Sequence, residues 1–161
     1  MNTRCIRWVL AAVAMPAVFA GSAFASDAWL ESYGEALSTA KKENKPVLVD
    51  FTSSDSCPPC ITMKREVFDT TAFKKFAAGN LVLLEVDFPG RKVLPPQQIN
   101  QNAMLAQKFG AINEMGMLIT PTLALVTPSG KLVAVKEGAF LSVEELIAWT
   151  EDVIRKSQAE G

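Results

Sequence analysis

Histidine is absent from this sequence of 161 residues, and cysteine occurs only three times. Two of the cysteines, Cys57 and Cys60, stand three positions apart, and the third, Cys5, lies close to the N-terminus. Structural zinc needs four ligands, usually Cys or His, and copper sites of the Cys-plus-His kind need histidine. The chain cannot supply either set, so we expect no metal.

Basic residues are not in excess. The sequence has 16 Lys and Arg against 17 Asp and Glu, and it contains no run of basic residues. Nucleic-acid-binding domains usually carry a concentrated positive charge. We therefore expect no nucleic acid as a partner.

The N-terminal residues 1–25 have the three parts of a secretory signal peptide. Two arginines precede an apolar run from Trp8 to Phe19, and Ala23 and Ala25 are small residues at the cleavage positions. We predict cleavage after Ala25, export to the periplasm and no stable membrane insertion afterwards. The alternative is an uncleaved membrane anchor, for which the apolar run is borderline in length and interrupted by proline and glycine.

Residues 26–161 suit one domain with one hydrophobic core. Disulfides persist in oxidising compartments, and small exported domains often carry several as structural links. Here the available bridge, Cys57 to Cys60, closes a loop of only four residues, which restricts the unfolded chain very little. The pair is therefore better explained by redox chemistry than by stability.

Hydrophobic periodicity and turn residues predict helices alternating with strands. Residues 89–102 are read as a polar connection, and Pro-Ser-Gly-Lys at 128–131 as a hairpin turn. The predicted strands are 47–51, 81–86, 122–127 and 132–136, and the predicted helices are 27–44, 58–68, a short one ending at 78, 103–109 and 142–156. Strands linked through helices favour parallel pairing, and the late hairpin adds an antiparallel edge.

This order, with Cys-x-x-Cys between the first strand and a helix, resembles the thioredoxin superfamily over residues 29–156. The similarity is clearest to exported thioredoxin-like proteins and to the C-terminal domain of the transmembrane thiol:disulfide interchange reductase. It implies an α/β thioredoxin-like fold: a central mixed sheet, a C-terminal antiparallel hairpin and helices on both faces. It is carried by Asn-Lys-Pro-Val-Leu-Val-Asp-Phe at 44–51, Cys-Pro-Pro-Cys at 57–60, Thr-Pro-Thr at 120–122 and Pro-Ser-Gly-Lys at 128–131.

The sequence departs from the family pattern at three places. Ser56 stands where the family usually has Trp, and one extra residue separates Asp50 from Cys57. Residues 112–118 lengthen the approach to Pro121. These differences concern the choice of partner more than the chemistry.

Disulfide exchange needs an attacking thiolate and a second thiol that resolves the mixed disulfide. Cys57, just before a helix, is expected to have a lowered pKa and to attack, while Cys60, one turn inside, is expected to resolve. Pro58 and Pro59 have no N–H, so two donors that could stabilise the thiolate are missing. Because thiolate stabilisation makes a protein more oxidising, we predict a reducing couple. The Cys57–Cys60 disulfide is the redox centre, and no cofactor is expected.

Asp50 ends an apolar strand. It is either an exposed strand-end carboxylate or a partly buried acid with a raised pKa that exchanges a proton with Cys60, and the resemblance favours the second. Pro121 is either an ordinary edge-strand proline or, as the resemblance implies, part of a cis peptide beside the cysteines. In that case the backbone of Thr120 pairs with an extended substrate segment. Thr120, Pro121, Pro58 and Pro59 are the predicted substrate-binding residues.

Other side chains have weaker signals. Asp55, in a polar loop, is expected to be solvated, and Trp29 is expected on the core face of the first helix. Three methionines, Met104, Met115 and Met117, either form an adaptable apolar contact surface near the site or fill core or loop positions.

Together these features predict an exported thiol:disulfide oxidoreductase that acts on protein thiols and disulfides as a reductant. Exported compartments lack an obvious soluble reductant, so the expected electron donor is a membrane electron-transfer reductase. One alternative is a non-catalytic thioredoxin-fold binding module with a permanent Cys57–Cys60 disulfide. Another is a disulfide isomerase, which the lack of an obvious dimerisation domain disfavours.

Overall fold

A computed structural model describes residues 29–159. The predicted signal peptide, residues 1–25, lies outside this range. None of the helices in the described part is long and apolar enough to cross a membrane. The helices are α1 Tyr33–Glu43, α2 Pro58–Met63, α3 Thr71–Asn80, α4 Pro96–Lys108 and α5 Val143–Ala159, and the strands are β1 Val47–Thr52, β2 Val82–Asp87, β3 Thr122–Val126 and β4 Leu132–Glu137.

The four strands form one mixed sheet in the order β2-β1-β3-β4. β1 pairs parallel with β2 and antiparallel with β3, and β3 and β4 form the predicted antiparallel hairpin. Gly130 in its turn has φ +87°, a conformation that glycine adopts without steric cost. The predicted fold class is confirmed.

Both faces of the sheet are covered by helices. Every residue of β1 is buried, which explains its mostly apolar sequence, since alternate side chains enter opposite cores. On one face Val49 and Phe51 pack with residues of α1 and α4. On the other face Leu48 packs with residues of α2, α3 and α5. Asp50 is two residues from Leu48, so its side chain lies on that second face.

The first helix is shorter than predicted. It begins at Tyr33 because the Ser32 hydroxyl accepts a hydrogen bond from the Glu35 N–H and caps the N-terminus. Before it, Leu30 forms an isolated parallel bridge with Leu84 of β2. Trp29 therefore lies in an extended segment and not on a helix, and its ring packs 4.9 Å from that of Phe68.

The expectation that residues 89–102 are a connection is wrong, since α4 begins at Pro96. Its first turns present polar side chains to the segment before α1 and to the end of β2, so this part of the sequence lacks the apolar periodicity that predicts a helix. The Gln98 and Gln101 side chains donate to the Glu31 carbonyl, both at 2.9 Å, and the Asn102 amide donates to the Asp87 carbonyl at 2.8 Å.

The predicted helix 58–68 is not one regular α-helix. After α2 the chain forms a π-helical turn, Lys64–Phe68, in which the Asp69 N–H donates to the Lys64 carbonyl at 2.8 Å. Such single π turns occur frequently at functional sites. This one begins at Lys64, one turn after Cys60.

Candidate active site

Cys57 and Cys60 are joined by a disulfide where β1 leads into α2, with their Cα atoms 5.3 Å apart. Cys57 is the N-cap residue of α2 and has an extended backbone. Its exposed fraction is 9%, whereas that of Cys60 is 3%. The predicted difference in burial between the two sulfurs is confirmed.

The two prolines limit the hydrogen bonds that Cys57 can accept. An N-cap side chain normally accepts from the N–H of the second or third helical residue. Pro59, the second helical residue, has none. The third is Cys60, and its N–H donates to the Cys57 sulfur at 3.3 Å. Both prolines are exposed beside the disulfide.

The Thr120–Pro121 peptide bond is cis, as the resemblance implied. The Thr120 carbonyl oxygen lies 3.7 Å from the Cys57 sulfur. Because the sulfur is in a disulfide and has no proton, this is a contact and not a hydrogen bond. Regular pairing of β3 starts at Thr122, so Thr120 takes part in no strand pairing within the described residues.

Asp50 is buried, with an exposed fraction of 5%, so the interpretation as an exposed carboxylate is wrong. The pKa of its carboxyl is raised from 3.8 to about 8, mainly because the group is buried; the charges of Glu85 and Asp87 contribute to this rise, and that of Lys64 opposes it. One carboxyl oxygen, Oδ1, has no hydrogen-bond partner among the described residues. An acid of this kind keeps its proton near neutral pH and can exchange it with a neighbouring thiol.

Asp50 and Cys60 meet at a small cleft of about 50 Å³. Its other charged lining residues are Lys64 and Glu85, neither of which was predicted from the sequence. One feature of the sequence could have indicated Glu85, since this charged residue interrupts the apolar run of β2. Burial raises the pKa of Glu85 as well, and Lys64 opposes that effect.

Asp55 is not simply solvated, which corrects the expectation for this residue. Its carboxylate accepts backbone N–H groups from Gly90, Arg91 and Lys92 at 2.7, 2.9 and 3.3 Å. These hydrogen bonds, the one from Gly90 above all, lower the pKa of Asp55. These hydrogen bonds link the loop before Cys57, residues 53–56, to the loop after β2, residues 88–92.

Ser54 and Ser56 make further contacts between the two loops. The Ser54 N–H and hydroxyl both donate to the Asp87 carboxylate, at 2.8 and 2.6 Å. A Cβ atom added to Gly90 would lie 2.8 Å from the Ser56 hydroxyl oxygen. Ser56, where the family usually has Trp, thus permits a close approach of the two loops. We call residues 53–56 together with 87–92 the loop clamp.

The segment 112–118 folds as a tight turn between Ile112 and Leu118, which form an antiparallel bridge. The Asn113 side chain accepts from the N–H groups of Met115 and Met117 at 3.0 and 2.9 Å. Met104, Met115 and Met117 are 64%, 77% and 52% exposed. The alternative that these methionines fill the core is wrong.

Within residues 29–159, no group of three or more His, Cys, Asp and Glu side chains is arranged to hold a metal ion.

Residues 33–154 match the model of the thioredoxin-like domain family. The chain belongs to this family. A curated relative, the disulfide bond reductase DsbH of Chlamydia pneumoniae, is 35% identical over 104 residues, which are 65% of this chain and 59% of that protein. This chain therefore spans less than two thirds of that relative's length.

Two solved structures place the fold. The structure of a DsbH oxidoreductase matches with a TM-score of 0.70 and 28% identity, covering 80% of this chain and 84% of that one. The oxidised C-terminal domain of DsbD from Neisseria meningitidis matches with a TM-score of 0.51 and 18% identity, covering 74% of this chain and 90% of that one. The second likeness concerns the fold alone.

Proposed function

We propose that this protein is a thiol:disulfide oxidoreductase that exchanges disulfides with protein substrates through Cys57 and Cys60. The observation that carries the proposal is the unequal setting of the two sulfurs. Cys57 is 9% exposed and lies beside the Thr120 carbonyl, whereas Cys60 is only 3% exposed and lines a cleft together with Asp50. Membership of the thioredoxin-like family and the name of the Chlamydia relative, a disulfide bond reductase, agree with this activity.

The reaction starts from the reduced protein. The Cys57 thiolate attacks a substrate disulfide, forms a mixed disulfide and releases the first substrate sulfur as a thiolate. In the molecules whose Asp50 is ionised, a fraction that grows as the pH rises toward the Asp50 pKa of about 8, the Cys60 thiol then gives its proton to the Asp50 carboxylate, and the Cys60 thiolate attacks the Cys57 sulfur. The Cys57–Cys60 disulfide forms, and the second substrate sulfur leaves as a thiolate. Two electrons pass to the substrate, whose thiolates take up protons from solvent.

Substrate binding is proposed at Thr120. An extended segment next to the substrate disulfide would pair with the Thr120 backbone, which strand pairing leaves unused and which lies against the Cys57 sulfur. Recognition through main-chain groups tolerates many sequences. Pro58 and Pro59, which are exposed, are proposed to form the apolar border of that position, next to Pro121, which is buried.

The direction is proposed to be reductive, because the prolines leave the Cys60 N–H as the one helical donor to the Cys57 sulfur. Fewer donors to the thiolate favour a more reducing couple. The oxidised protein then needs a dithiol donor. For an exported protein, as residues 1–25 predict, we propose a membrane electron-transfer reductase, with the periplasm as the site of action.

The test is reduction of insulin disulfides driven by dithiothreitol, with the Cys57→Ser variant as control. Wild type should accelerate insulin reduction at catalytic amounts, and Cys57→Ser should be inactive. A folded wild-type protein without turnover, whose disulfide resists dithiothreitol, would favour the non-catalytic binding module instead.

A further inference from the structure

The cleft beside Cys60 is lined by two charged residues, Lys64 and Glu85, that have no role in the proposed reaction. Glu85 lies on β2 and Lys64 begins the π turn after α2. Both line the cleft together with Asp50 and Cys60. The cleft is small, with a volume of about 50 Å³. The charged groups of Lys64 and Glu85 therefore lie around the same small space as Asp50 and Cys60.

The sheet register places the two carboxyl groups side by side. Asp50 and Glu85 are directly paired residues in the parallel ladder between β1 and β2, so their side chains point to the same face of the sheet. Neighbouring strands are about 4.8 Å apart. Asp50 is buried and Glu85 is half-buried, which makes Glu85 the carboxylate nearer to solvent.

Lys64 supplies the opposite charge from the helical side of the cleft. Its side chain is exposed, and its charge lowers the pKa of Asp50 and that of Glu85. Glu85 has the reverse effect and raises the pKa of Asp50, as Asp87 does more weakly. Glu85 and Lys64 therefore have opposite effects on the pKa of Asp50.

The remaining surroundings of Asp50 are largely uncharged. On β3 the residue paired with Asp50 is Leu123, and α3 and α5 contribute apolar side chains to this face of the sheet. The charges that bear on Asp50 are Glu85, Lys64 and Asp87, and those that bear on Glu85 also include Glu31 and Lys92.

We propose that Glu85 and Lys64 are positioning residues that act through Asp50 and set the pH range in which Cys60 resolves mixed disulfides. This inference rests on the proposed function. Glu85 favours the protonated Asp50, and Lys64 favours the carboxylate that accepts the Cys60 proton. In the resolving step the proton passes from the Cys60 thiol to Asp50, the Cys57–Cys60 bond forms, and the substrate sulfur leaves as a thiolate.

The test compares Glu85→Gln, Lys64→Gln and the control Glu66→Gln in the full chain. Glu66 is an exposed carboxylate in the same π turn and does not line the cleft. Two pH midpoints are measured for each protein. The first is the midpoint of protonation of the Asp50 carboxyl in the oxidised protein, monitored by infrared spectroscopy. The second is the midpoint of the pH dependence with which a peptide is released from a preformed mixed disulfide.

Removal of the Glu85 charge should lower both midpoints by about half a unit to one unit, and removal of the Lys64 charge should raise them by a similar amount. Glu66→Gln should match wild type. A purely structural disturbance would not shift two variants in opposite directions.

Infrared midpoints of Glu85→Gln and Lys64→Gln that coincide with Glu66→Gln, or shift in the same direction, would overturn this inference whatever the exchange activity. Opposite infrared shifts in a protein that forms no mixed disulfide would contradict the proposed function, and with it the part of the inference that concerns the resolving step.

Discussion

The two sulfurs of one disulfide lie in environments that differ more than their separation of three residues suggests. The Cys57 side consists of the two exposed prolines at the start of α2, the Thr120 carbonyl, which contacts the Cys57 sulfur, and the loop clamp, which hydrogen bonds hold together. The Cys60 side is a cleft in the core with a buried acid. We infer that the Cys57 side governs access to the disulfide and the stability of the Cys57 thiolate, whereas the Cys60 side governs the transfer of the Cys60 proton.

The largest expected effect is on the Cys60 side. It is a change in the pH dependence of the free energy of unfolding of the oxidised protein when Asp50 is replaced by Asn. The folded pKa of Asp50 is raised to about 8 from 3.8, so between these values the folded state binds a proton that the unfolded state lacks. Stability should then fall as pH rises from about 4 to about 8 and stay level above. Asp50→Asn should remove this slope and be more stable than wild type at pH 7 by a few kcal/mol.

Urea unfolding of the oxidised proteins at several pH values measures this. Glu114→Gln, an exposed change at the tip of the 112–118 turn, is the control and should keep the wild-type slope. If the free energy of unfolding of Asp50→Asn depended on pH as that of wild type does, the Asp50 carboxyl would not be the group that causes the pH dependence. The proposed difference between the Cys57 and Cys60 sides would then lose its support.

The next effect concerns the Cys57 side. Gly90→Ala places a Cβ atom 2.8 Å from the Ser56 hydroxyl oxygen and 3.0 Å from its Cβ, so the loop clamp must shift. We expect a loss of about 1–3 kcal/mol in the free energy of unfolding, measured by urea unfolding.

Gly79→Ala is the matched control, because an added Cβ at Gly79 of α3 meets nothing within 4 Å. It should stabilise the protein by roughly 0.5–1 kcal/mol, the usual gain from replacing glycine in a helix. Adding Ser56→Gly to Gly90→Ala removes both crowded atoms and should restore stability. If Gly90→Ala were as harmless as Gly79→Ala, the loop clamp would not be a tight contact.

The smallest effect concerns the prolines. Pro59→Ala gives the second helical residue an N–H that can reach the Cys57 sulfur, as in an ordinary N-cap. Stabilising the thiolate by one such hydrogen bond should make the couple more oxidising by about 30 mV. Equilibration with a glutathione buffer measures the potential.

Pro58→Ala serves as the control for this prediction, since the N–H of the first helical residue does not normally reach the N-cap side chain. Its potential should stay close to that of wild type. Equal shifts in the two variants would mean that the prolines act through the shape of the turn and not through the missing donors.

Features that depend on neighbours in the sequence were predictable. The cysteine pair, the burial order of its two sulfurs, the hairpin turn and the strand around Asp50 follow from local pattern, and the cis peptide at Pro121 followed from the family resemblance. The polar start of α4 was missed because its side chains bond to distant loops and leave no apolar period to detect.

Contacts between segments far apart in the sequence could not be predicted. The Asp55 carboxylate meets N–H groups about 35 residues away, and the loop that contains them has no local signal for this. Glu85 joins Asp50 only through the register of β1 against β2. A shift of one residue in that register would have moved the Glu85 side chain to the opposite face.

The most direct test of the account is capture of a peptide disulfide by two variants, Cys57→Ser and Cys60→Ser, read by mass spectrometry of the intact protein. We expect the reduced Cys60→Ser protein to form a stable mixed disulfide through Cys57, because Cys57 is the less buried cysteine of the pair and the resolving thiol is gone. The Cys57→Ser protein should form little or none, because Cys60 is buried. Capture mainly by Cys57→Ser, with Cys60→Ser folded but unreactive, would contradict the division of roles between the two sulfurs.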